Sequence, residues 1–91
     1  MNIRWTRPAQ QDIATIVRYI QQDKPDAAAR VKAKIIETIE RLPVFPEQGR
    51  KGIVEGTREI IFHPWPYIAV YVIVDDEVRI LRIRHGAQEY P

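Results

Sequence analysis

The side chains able to do chemistry are few, and they gather late in the chain. His63 and His85 are the only histidines, cysteine is absent, and residues 78–91 hold Arg79, Arg82, Arg84, His85 and Tyr90 with Glu89 as their one acid. Guanidinium forks grip phosphates or carboxylates at two points, and tyrosine rings stack on bases or fill interface pockets. Such a set supports two kinds of work. One is binding, to a nucleic acid or to another protein. The other is acid–base cleavage of RNA, which needs a base for the 2′-hydroxyl, an acid for the leaving oxygen and cations for the charged transition state. Arginine supplies the cations, and near the end of the chain only His85, Glu89 and Tyr90 can move the protons.

Other chemistries find no residues. Neither histidine has a second one at ligand spacing, so no metal and no cofactor is expected. With no cysteine there is no thiolate zinc site and no thiol nucleophile. Asp75-Asp76-Glu77 reads as a solvated hairpin tip, and no glycine-rich phosphate loop or nucleophile elbow is present. Fourteen cations against 12 anions give a net charge of +2, so composition alone does not argue for nucleic acid. No basic-then-apolar leader opens the sequence and no apolar run approaches the roughly 18 residues of a membrane span, so a cytoplasmic location is expected.

The elements that position these groups follow from periodicity. Asn2 to Trp5 leans toward a first strand, Thr6 is an N-cap and Pro8 fits a first helical turn. Ile13, Ile16, Val17 and Ile20 then recur at helical spacing. Lys24-Pro25 breaks that helix, and Asp26 is expected to cap a second one carrying Ala28, Val31, Ile35, Ile39 and Leu42 on one face. Glu37 and Arg41 form a favourable i, i+4 pair on its other face. Pro43 and Pro46 end it, and Pro46 to Gly56, with three of the four glycines, reads as an irregular, mobile loop. The last third reads as a β-meander: Arg58 to Phe62, the hinge His63-Pro64-Trp65-Pro66, Tyr67 to Val74, then Glu77 to Arg84. The whole is one α+β domain over residues 1–91, a strand and an antiparallel helix hairpin packed on a three- to four-stranded antiparallel sheet.

Parity sets the expected faces. An even hairpin loop at Asp75-Asp76 pairs Ile68 with Ile83, Val70 with Leu81 and Val72 with Arg79, and on the other side Tyr67 with Arg84, Ala69 with Arg82 and Tyr71 with Ile80. Across the four-residue hinge, Arg58 lies beside Tyr71, Phe62 beside Tyr67, and Glu59 opposite Val70. The helices are thus expected on Ile68, Val70, Leu81 and Ile83. Arg58, Tyr67, Tyr71, Arg82 and Arg84 are expected on an open outer face.

Several segments, in order, resemble toxins of the RelE/ParE superfamily of bacterial type II toxin–antitoxin modules. They are Ile3-x-Trp5-Thr6-x-x-Ala9-x-x-Asp12-Ile13-x-x-Ile16-x-x-Tyr19-Ile20, Phe45-Pro46-Glu47-x-Gly49-Arg50, Gly56-Thr57-Arg58-Glu59, Pro66-Tyr67-x-x-x-Tyr71 and Ile80-Leu81-x-Ile83-x-His85-Gly86-Ala87-Gln88. The resemblance implies a cognate antitoxin bound in a hetero-oligomer, through a seat including Trp65, Tyr67 and Arg82. It also implies one of two activities. ParE-like members poison DNA gyrase by binding, and the expected contacts are Arg58, Tyr71, Arg82, Arg84, His85 and Tyr90. RelE-like members cut mRNA on the ribosome, for which Arg84, His85 and Tyr90 would serve. Where those nucleases keep an arginine after the tyrosine of the central strand, this chain has Ile68. Glu59 and Ile61 replace their lysines, and Gln88 stands at their late arginine. The ending Gly86 to Pro91 is similar to ParE, so gyrase is the expected target and the ribosome the alternative.

Overall fold

The first strand completes the sheet from its far side. In the structure, a computed structural model that describes residues 1–86, β1 (Asn2–Trp5) leads into the helices α1 (Arg7–Gln21) and α2 (Pro25–Glu40). Four strands follow: β2 (Arg50–Lys51), β3 (Arg58–Ile61), β4 (Tyr67–Val74) and β5 (Glu77–His85). The order across the sheet is β1-β5-β4-β3-β2. The α+β expectation holds, with a larger sheet than the sequence suggested. It has five strands, and β1 joins parallel to β5, Ile3 opposite Val78 and Trp5 opposite Ile80. The helix pair carries the chain from β1 at one edge of the sheet to β2 at the other.

Both helices start where chain chemistry dictates. The Thr6 hydroxyl accepts from the Ala9 amide at 3.3 Å and donates to the Ile80 carbonyl at 2.8 Å, so one side chain caps α1 and fastens it to β5. Asp26 does not cap α2. Pro25 has its φ preset for the first helical position, so the helix begins two residues earlier, Lys24 takes the cap position, and Asp26 sits in the first turn near the positive end of the dipole. Ala28, Val31, Ile35, Ile39 and Leu42 are buried as expected, and Glu37 meets Arg41 at 2.7 Å on the exposed side.

The hairpin tip is the predicted two-residue loop. Asp75 and Asp76 both take positive φ (52° and 58°), the twist that suits the flanking strands, and Val74 pairs with Glu77. The expected pairs Tyr71–Ile80 and Val72–Arg79 are present. Beyond them a β-bulge intervenes: Val70 pairs with Arg82 and leaves Leu81 without a partner. Every pair further along is displaced by one, so Ala69 meets Ile83, Ile68 meets Arg84 and Tyr67 meets His85.

This bulge corrects the expected faces. It lets Ile80 and Ile83, three residues apart, join Val78 in the core together with Ile60, Phe62, Tyr67, Ala69 and Tyr71. Tyr67 and Tyr71 are therefore buried, Tyr71 completely, rather than displayed on an outer face. Ile68 and Val70 lie on the opposite side. The β3–β4 register is as expected, with Arg58 opposite Tyr71 and Glu59 opposite Val70.

Candidate functional site

Two side chains from the sheet fasten the segment after α2, which the sequence suggested would be mobile. The buried Tyr71 hydroxyl accepts from the Gly49 amide at 2.9 Å and donates to the Pro46 carbonyl at 2.8 Å. Arg58 donates through one terminal nitrogen to the carbonyls of Glu47 (3.3 Å) and Gly49 (2.8 Å). Glycine is needed at position 49, because a Cβ there would stand 2.6 Å from the Tyr71 hydroxyl and 2.8 Å from the Glu59 carbonyl. Burial pushes the Tyr71 pKa up, against the opposing pull of the Gly49 amide and the Arg58 charge. Thus Arg58 and Tyr71, expected at a target contact, act within the fold. Val44 and Phe45 stand out from the fastened segment, both mostly exposed.

Arg82 is also engaged. Its guanidinium forks onto Asp12 of α1 at 2.7 and 3.0 Å, and the same carboxylate accepts from the Ile83 amide at 2.9 Å. β1 ends before this point, so Asp12 satisfies the β5 edge where β1 no longer can. The hydrogen bond and charge of Asp12 raise the Arg82 pKa above its ordinary value. Trp65 is half-buried against the core cluster, and its amide donates to the Phe62 carbonyl at 3.0 Å. Tyr67 meets the ring of His85 edge-on, centroids 5.7 Å apart, and burial raises its pKa.

What the structure does bring together is a cavity of about 140 Å³ on the sheet side turned away from the core. Arg84 and His85 line it from the end of β5, Ile68 and Val70 from β4, Glu59 from β3, Arg50 from β2 and Ile53 from the segment after it. Glu59 is only 7% exposed, and one of its oxygens accepts from Nε (3.3 Å) and a terminal nitrogen (3.1 Å) of Arg50, its cross-strand partner. Sequence reasoning left Glu59 without a role and missed Arg50. The signal available was a carboxylate at an inward strand position, which demands a cation on the next strand. Tyr90, Gln88 and Glu89 lie outside the described residues. Among those described, no group of three histidine, cysteine or acidic residues is placed to hold a metal ion, and no helix is long and apolar enough to cross a membrane.

The family described as the ParE toxin of the type II toxin–antitoxin system parDE matches residues 3–90. The chain belongs to the ParE toxin family. Among similar proteins, Y4kP of Sinorhizobium fredii is 43% identical over 89 residues, covering 98% of this chain and 92% of that protein. Toxin RelE2 of Caulobacter vibrioides is 37% identical over 84 residues, covering 92% and 93%. A chain in the structure of the chromosomal ParDE system from P. aeruginosa superposes with a TM-score of 0.86 at 30% identity, covering 93% of this chain and 95% of that one. Within this ParE fold, the bulge in β5 puts Arg84 on the open sheet face, and Asp12 holds Arg82 at the edge.

Proposed function

We propose that this ParE-family toxin poisons DNA gyrase by binding it in the cytoplasm, without cutting RNA, and that a cognate antitoxin silences it in a hetero-oligomer. The observation carrying this reading is the chemistry of the open sheet face. Glu59, Ile61 and Ile68 occupy the places where the resembling nucleases keep cations. They share this face, Ile61 opposite Ile68 and Glu59 beside them. A buried carboxylate and two isoleucines offer nothing to the developing charge on a phosphorane, and Glu59 opposes it. Loss of one such stabilising group costs on the order of 10²–10³ in rate. Arg84 and His85, at the end of β5, are the proposed target contacts, with Arg82 beside them and Tyr90 further along the chain.

Purified toxin incubated with gyrase and supercoiled plasmid is expected to accumulate linear DNA after detergent and protease treatment. Normal supercoiling at saturating toxin with no cleaved complex would rule out gyrase as the target. The kinship with a protein named RelE2, together with Arg84 and His85 in one cavity, supports the second reading, a ribosome-dependent ribonuclease. Codon-phased 5′ ends on ribosome-bound transcripts would select it.

A further inference from the structure

We propose that Thr6 and Asp12 are positioning residues for target binding: from the start of α1 they grip the bulge in β5 and so aim Arg84 and His85, which follow it. This role rests on the toxin reading above, and its first readout needs no target, so the two can fail separately.

The bulge leaves backbone groups that the neighbouring strands do not serve. β1 pairs with β5 only as far as Trp5 opposite Ile80, and Leu81 has no partner on β4. Beyond Ile80, β1 no longer covers the edge of β5, and side chains take over there. The Thr6 hydroxyl hydrogen is shared between the carbonyls of Ile80 (2.8 Å) and Leu81 (3.0 Å). Asp12 accepts from the Ile83 amide at 2.9 Å. A spacing of three keeps Thr6, Ala9 and Asp12 on one side of the helix, and Ala9, completely buried between the other two, suits a close approach to the strand.

The core and the grip have different tasks. Ile83 is 3% exposed, and a strand without the bulge would turn Arg82 and Arg84 to the side of Ile80, so burial already fixes the register. Burial does not fix the lean of the residues after Leu81. On one side β4 holds them, from Val70 opposite Arg82 to Tyr67 opposite His85, and the Gly86 amide closes that ladder on the Pro66 carbonyl at 2.6 Å. On the other side Asp12 ties Ile83, the residue before Arg84. The half-exposed Arg82 pair contributes little, so the grip acts through the Ile83 amide. A strand end held from both sides need not be ordered when a target arrives, and such pre-organisation raises affinity.

The test begins with NMR of the purified toxin at one fixed pH. The rings of His85 and Tyr67 meet edge-on, centroids 5.7 Å apart, so ring current makes the His85 signals report where the strand end sits. His63→Gln tells the two histidines apart. Asp12→Ala is expected to move the His85 signals. It should also raise the toxin concentration for half-maximal gyrase–DNA cleavage about three- to tenfold, within the range by which residues outside an interface modulate binding. Asp12→Asn keeps an oxygen for the Ile83 amide without the charge and should restore both readouts. Ile35→Val trims a buried side chain of α2 as a stability control and, below its melting transition, should change neither. Melting curves confirm that each variant is folded; should Asp12→Ala not fold, Thr6→Val, which swaps the hydroxyl for a methyl, carries the same comparison. If the parent traps no cleaved gyrase, the gyrase reading falls and the same series is read as growth arrest at matched soluble toxin. The role is overturned by Asp12→Ala that leaves the His85 signals in place or acts at the parent's concentration. Asp12→Asn that behaves like Asp12→Ala, or Ile35→Val that weakens the toxin equally, overturns it as well.

Discussion

Replacing Tyr71 by phenylalanine deletes one oxygen from a fully buried ring and leaves the packing volume almost unchanged, so the hydrogen bonds can be weighed without a cavity. That oxygen serves the Gly49 amide at 2.9 Å and the Pro46 carbonyl at 2.8 Å. A typical internal hydrogen bond contributes about 1 kcal/mol net, and a buried donor left without a partner costs about 1–3 kcal/mol. The Gly49 amide becomes such a donor, whereas the Pro46 carbonyl has partial access to water. The expected loss is about 2–3 kcal/mol, which in a domain of this size lowers Tm by about 8–24 °C. Urea unfolding should show a lower midpoint at unchanged slope, because the surface exposed on unfolding is the same. Amide exchange should quicken at Gly49 before it changes in β4. A loss below about 0.5 kcal/mol, the scatter of ordinary surface changes, would refute the claim that this hydroxyl fastens the loop.

Three further outcomes are expected. Asp12→Ala should cost more stability than Arg82→Ala, by about 1 kcal/mol, since it also strands the Ile83 amide, while the half-exposed Arg82 pair contributes little; equal losses in urea melts would contradict this. Thr6→Ala should cost about 1–2 kcal/mol and Thr6→Ser much less, because the hydroxyl both caps α1 and ties it to β5; far-UV melts of the two variants decide it. Burial raises the pKa of both Tyr67 and Tyr71 above the ordinary value of 10.0, so the folded state holds these protons longer than the unfolded state. Their contribution is complete below about pH 10 and is lost as pH climbs from there through the raised values, so the urea midpoint should fall above about pH 10, and fall less steeply in Tyr71→Phe.

Much of this architecture was legible because it is written in local periods. The stripe from Ile13 to Ile20 and the run from Ala28 to Leu42 repeat at helical spacing. The doubled aspartate at the hairpin tip tolerates the positive φ its turn requires. The faces of the meander were not legible, because Leu81 looks like its apolar neighbours and nothing local marks it as the residue without a partner. That single extra residue brings Arg84 onto the side that Ile68 and Val70 occupy. The parallel seam between β1 and β5 joins residues about 75 positions apart, beyond any local signal. The candidate site was half visible: Arg84 and His85 stood out by type, whereas Arg50 became relevant only once β2 placed it across from Glu59.

The seam between β1 and β5 also bears on when this protein can become a toxin. Among the described residues β1 has no sheet neighbour except β5, and α1 is fastened through Thr6 and Asp12 to carbonyls and an amide of that same strand. Until Glu77–His85 has been synthesised, the helix hairpin lacks the strand it rests on and the core lacks Val78, Ile80 and Ile83. A ribosome partway through the message therefore carries a chain that cannot complete this core. Folding therefore waits for Glu77–His85, the strand on which both β1 and α1 rest.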